Sequence, residues 1–72
     1  PSVPALPSEL SLVVSEIYYQ EGAGGSMAII NDLPVMEGTT IENALAERIL
    51  PDRVLFLVDG QRYEGRPVTA HP

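Results

Sequence analysis

Two stretches of this chain, MAIINDLPVM at residues 27–36 and RVLFLVDGQRYEG at 53–65, share one construction: a run of β-forming residues, two turn residues and a second run. Asn, Asp and Gly tolerate the left-handed backbone of a two-residue hairpin turn, so Asn31-Asp32 and Asp59-Gly60 predict hairpins. Two hairpins in so short a chain leave room for little else. Pro34 cannot donate to a sheet ladder, so its strand is expected at an edge, or with that position turned outward.

Length then sets the scale. A chain of 72 residues forms one domain and hides only about 60% of its unfolded surface, so the core is thin. Ten acids face four arginines and no lysine, for a net charge of −6. Nucleic acid is therefore not expected as a partner, since phosphate binding needs clustered cations, and an anionic membrane surface is disfavoured for the same reason. There is no cysteine, hence no disulfide framework and no thiolate metal site. No apolar run reaches the 18 or more residues of a membrane span. The Pro-rich ends fit a segment of a longer protein, with any membrane anchor upstream of Pro1.

Along the chain, residues 1–9 read as the end of a Pro-rich linker, 10–65 as the folded β domain and 66–72 as a flexible tail. Prolines at 1, 4 and 7 suit a polyproline II spacer, a disordered terminus or a Pro-rich ligand for a partner. LSLVVSEIYY at 10–19 is a strand by composition. Its alternation is imperfect. Leu10, Leu12, Val14 and Tyr18 share one side, and Val13, Ile17 and Tyr19 the other, which implies burial on both faces or a face covered by a partner. QEGAGGS is a loop, and no Lys-Ser/Thr follows it as a phosphate cradle requires.

Residues 41–48 are ambiguous. Thr39 and Glu42 fit a capping box and Ile41, Leu45 and Ile49 recur at helical spacing, whereas the surrounding antiparallel pattern favours a strand near Ala46 to Ile49. The expected fold is all-β: a small antiparallel two-sheet sandwich or half-barrel of about six short strands, with either a helical turn or a strand at 41–48.

Little in the chain suggests catalysis. The only histidine, His71, is penultimate, and no serine has a nucleophile motif around it. Asp32, Glu37 and Asp59 lie near turns but in no calcium-loop spacing, so no metal and no cofactor are expected. Phe56 and Tyr63 are assigned to the core, and the adjacent Tyr18 and Tyr19 cannot both face it. What remains is the backbone of the sheet edges, which a small open sheet must protect or use for strand addition. Glu16, Glu47 and Arg48, charges set within apolar strands, are the expected protectors. Val13, Val14, Ile17, Tyr18 and Tyr19 on the first strand are the first candidates for partner binding, and Leu33 and Val35 on the short strand the second.

SEIYYQEGAGGSMAIINDLPVMEGT, continued by RILPDRVLFLVDGQRYE, resembles the periplasmic C-terminal domain of general secretion pathway protein B, a component of bacterial type II secretion systems. The landmarks are Ile17, Tyr18, Ala28, Ile29, Ile30, Asn31, Glu37, Gly38, Ile49, Val54, Gly60 and Tyr63. Asp32 stands where many members have glycine, and NALAER departs from the usual start of a strand. The resemblance implies a periplasmic adaptor on an inner-membrane-anchored chain, reached through a Pro-rich linker. Its implied partners are the N-terminal periplasmic domains of the outer-membrane secretin and other inner-membrane secretion components. A self-associating module, paired or swapped as a homodimer, is the alternative.

Overall fold

The computed structural model describes residues 3–22 and 25–67. The first two residues of the Pro-rich start, Ala23 and Gly24 of the loop, and the expected tail from Val68 onward, His71 included, lie outside the described residues. The chain is all-β, in two antiparallel sheets. The strands are β1 (Val14–Tyr18), β2 (Met27–Ile30), β3 (Leu33–Met36), β4 (Thr40–Ile41), β5 (Ala44–Ile49), β6 (Val54–Val58) and β7 (Gln61–Gly65). One sheet has the order β1-β2-β3, the other β4-β5-β6-β7.

Two-residue turns close three of the hairpins, and all three have positive φ at both central positions: Asn31 and Asp32 (52° and 65°), Glu42 and Asn43 (52° and 67°), Asp59 and Gly60 (51° and 79°). That backbone twists with the strands it joins, which is why it is favoured in two-residue hairpins. Asp32 thus holds a left-handed backbone without being glycine. Asn31 does more than turn. Its Oδ1 accepts from the Val13 N–H at 2.9 Å and its amide donates to the Ser11 carbonyl at 3.0 Å, locking the hairpin to the approach of β1.

The expected strand at residues 10–19 is shorter than its composition suggests. Ser8–Leu10 forms one turn of 3-10 helix, and Ser11 has φ 55°, so extended pairing starts only at Val14. The helical alternative at 41–48 is not realised: Glu42 and Asn43 are a hairpin turn, β4 is the additional strand, and Ala44–Ile49 is extended. Sheet pairing outweighs the capping-box pattern because β5 is held on both sides, by β4 and by β6.

Two register shifts, between Val14 and Glu16 and between Ala46 and Arg48, explain the confusing patterns. An extra residue in one strand switches which side chains face inward. In β1 both Val14 and Ile17 turn to the core, opposite buried Ile30 and Ala28. In β5 the inward residues are Ala44, Ala46 and Ile49, while Leu45 of the helical series Ile41, Leu45 and Ile49 turns outward. The apolar excess on β1 is thus partly a bulge.

Val14, Ala28, Ile30 and Val35 of one sheet and Ala44, Ala46, Ile49, Val54, Phe56 and Val58 of the other make a single core. Phe56, Ile30 and Ile49 are its largest fully buried side chains, each stabilising by about 1.5–3 kcal/mol on the transfer scale. Tyr63 packs against this cluster. Between the sheets the chain crosses at Glu37–Thr39. There the Gly38 N–H donates to the Ala46 carbonyl at 2.8 Å, the Ala46 N–H to the Thr39 carbonyl at 2.9 Å, and the Ile49 N–H to the Glu37 carboxylate at 2.8 Å.

The Pro-rich start is docked. Ala5 forms a parallel bridge with Glu64, with the Leu6 N–H donating to the Glu64 carbonyl at 3.0 Å and the Glu64 N–H to the Pro4 carbonyl at 2.8 Å. Leu6 packs against the core. The prolines at 4 and 7 lack the donors that would prolong this pairing. Residues 4–6 therefore cover the free edge of β7 at Glu64.

Candidate interaction surface

The side chains of β2 and β3 alternate between the two faces of the three-stranded sheet. Ala28, Ile30 and Val35 face the core, so Met27, Ile29, Pro34 and Met36 face out. Glu16 and Tyr18 pair with Ile29 and Met27 and share that outer face. Two rows result: Tyr18, Met27 and Met36 in one, Glu16, Ile29 and Pro34 in the other. The face is about 10 Å wide across three strands, and the rows lie roughly 7 Å apart. Tyr18 is 50% and Met36 44% exposed. Met27 and Ile29 are half-buried among these neighbours and are absent from the residues packed on the core. Both methionines of the chain lie here, side by side.

The one charge on this face is Glu16. The Tyr18 hydroxyl donates a hydrogen bond to its carboxylate, and that bond, reinforced by the Glu16 charge, pushes the tyrosine above its usual range. Among the described residues Glu16 forms no ion pair. All four arginines follow residue 47 in the sequence, whereas the three-stranded sheet and its connections carry Glu16, Glu21, Asp32 and Glu37.

The four-stranded sheet contrasts with this. Its outer face also shows apolar residues, Leu45, Leu55 and Leu57. Arg62 on β7, however, reaches across β6 to Glu47 on β5 with two hydrogen bonds, Nε to Oε1 at 2.7 Å and a second at 3.1 Å. The bond from Arg62 holds the Glu47 carboxyl below the ordinary carboxylate range, with the Arg62 and Arg48 charges adding to it and desolvation opposing. Arg53 and Arg66 both pair with Asp52 and Glu64. This face is strapped by its own charges.

Sheet order decides which edges are open. The two-residue turn makes Ile30 and Leu33 the hydrogen-bonded pair, so the nitrogen of Pro34, opposite Ile29, points away from β2. The outer edge of β3 thereby loses a donor, and the Met36 carbonyl already accepts from the Thr39 N–H at 3.2 Å. On β1 the alternation directs the N–H and carbonyl of Ile17 outward. Of the residues expected to bind a partner, Val14 and Val35 are each only 2% exposed and belong to the core, and Ile17 is half-buried against it. Val13, Tyr18, Tyr19 and Leu33 are exposed. β1 and β3 are opposite edges of one sheet, so these candidates do not form one patch. Glu16 does sit on an edge strand, but Glu47 and Arg48 lie on β5, an inner strand, at its bulge.

Met27, Ile29, Pro34 and Met36 are missed by a reading that looks for edges. The signal for them is that MAII and LPVM are apolar at every position, more than one buried face uses. A groove of about 290 Å³ lies where the N-terminal segment meets β1 and β7, lined by Leu6, Leu12, Val13 and Val14 with Glu64 and Arg66, more space than the length of the chain suggests. The two charged residues there are paired with each other at 3.3 Å. Among the described residues no group of His, Cys, Asp and Glu could hold a metal ion, and no helix is long and apolar enough to cross a membrane. No known protein family, curated protein or solved structure matches the chain.

Proposed function

We propose that this is a non-enzymatic protein-binding domain: a periplasmic adaptor of a type II secretion system that engages the N-terminal periplasmic domains of the outer-membrane secretin. The resemblance to general secretion pathway protein B supplies the partner. The observation that carries the binding role is the three-stranded sheet, which among the described residues keeps a free edge at β1 and an apolar outer face, while the other sheet has its β7 edge bridged at Glu64 and its face strapped. Partner strands add to such edges through backbone hydrogen bonds. The Ile17 backbone, flanked by exposed Tyr18 and Tyr19, is the point of addition. Pro34 makes β3 the poorer edge.

The test is a heteronuclear NMR titration with the secretin's N-terminal periplasmic domains. Amide shifts concentrated on residues 14–19 are expected. No shift at millimolar partner removes the adaptor reading, and light scattering that shows concentration-dependent dimers puts self-association in its place.

A further inference from the structure

The edge of β1 accounts for strand addition but leaves the outer face of its sheet without a role. A sheet ordinarily buries an apolar face against a further layer. We infer that this face docks a second element of a partner, an amphipathic helix whose apolar stripe carries one arginine or lysine that pairs with Glu16. The inference rests on the reading of the domain as a protein-binding module.

Three observations select this occupant. The face is about 10 Å across, the width of one α-helix with its side chains. Its centre offers side chains only, because β2 is paired on both sides and has no backbone groups left for an added strand. Its single charge is a carboxylate held by the Tyr18 hydroxyl, on a sheet whose strands carry no cation and whose connections add only the acids Glu21, Asp32 and Glu37. A second copy of this face is a poor occupant, since it sets Glu16 against another acidic surface. The basic helix is complementary to it. Met27 and Met36, unbranched and polarizable, adapt to an irregular stripe, a property that suits methionine to binding surfaces.

The probe is a helical peptide of about fifteen residues with leucines at i, i+3, i+4 and i+7 and one flanking arginine, beside a twin with glutamate there. Binding is read from the methyl signals of Met27 and Met36. The arginine peptide is expected to move both methyls and to bind about two- to fivefold more tightly than its twin, the range of an exposed ion pair. Glu16→Gln is expected to erase that preference, as is high salt. Equal affinity of the twins, shifts on Leu45, Leu55 and Leu57 instead, or no methyl shift at millimolar peptide overturns the inference. Secretin domains that move the β1 amides but not the methionine methyls refute the face and spare the adaptor. An arginine peptide that binds where the secretin domains do not refutes the adaptor and spares the face.

Discussion

Alanine at Gly65 tests whether the N-terminal segment is part of the fold. A Cβ there would lie 2.7 Å from Leu6 Cδ1, 2.9 Å from Phe56 Cε2 and 3.1 Å from Val14 Cγ2. Gly65 is not in the left-handed region, so the penalty is one of space alone. Overpacking a core costs about 1–3 kcal/mol. Replacing glycine returns about 0.4–1 kcal/mol through the unfolded chain. The difference centres on a net loss of about 1.3 kcal/mol, which lowers Tm by roughly 5–10 °C in a domain of this size. Phe56 is fully buried and cannot yield, whereas Leu6 is half-buried on a segment held by two hydrogen bonds. Relief therefore comes from Leu6. Gly65→Ala and Leu6→Ala are expected to couple by at least about 0.5 kcal/mol in a double-mutant cycle. Thermal unfolding followed by circular dichroism gives all four stabilities. A Gly65→Ala variant with unchanged Tm, or strictly additive single variants, refutes the docking of Leu6 on this glycine.

Asn31→Ala is expected to cost about 2 kcal/mol, half from its hydrogen bonds to Ser11 and Val13 and half from alanine in a left-handed turn, while Asn31→Gly loses only the first half; urea unfolding compares them. Glu42 holds the same backbone without a side chain suited to it, so Glu42→Asn is expected to stabilise by about 0.5–1 kcal/mol and raise Tm by roughly 2–8 °C. Because the folded-state pKa of Glu47 is depressed by Arg62, its contribution to stability is present above the unfolded value of about 4.3 and is lost as pH falls through the folded one. Glu47→Gln is expected to flatten the pH dependence of unfolding below that value and to leave it unchanged near neutrality.

Turns were legible in the sequence because their chemistry is local. Asn31-Asp32 and Asp59-Gly60 declare the left-handed conformation by residue type. Glu42-Asn43 conceals it, since glutamate rarely adopts it. Inward and outward faces were less legible, because each bulge moves the alternation by one residue and nothing in SEI or AER marks the shift. The docking of Leu6 on Gly65 joins residues from the two ends of the fold, and prolines that mark a linker also permit a short bridge. The apolar outer face follows from counting, but only once β2 is known to be central.

The parallel bridge at Ala5 has a mechanical consequence. A pull on the chain ahead of Val3, directed back along β7, loads both bridging hydrogen bonds at once, in shear, where a hairpin edge peeled sideways would lose them one by one. Leu6 must slide off Gly65 before tension reaches Phe56 or the sheets. Residues 4–6 then act as a fuse: under such a load they yield first, release a few residues of extended chain and leave the sandwich intact.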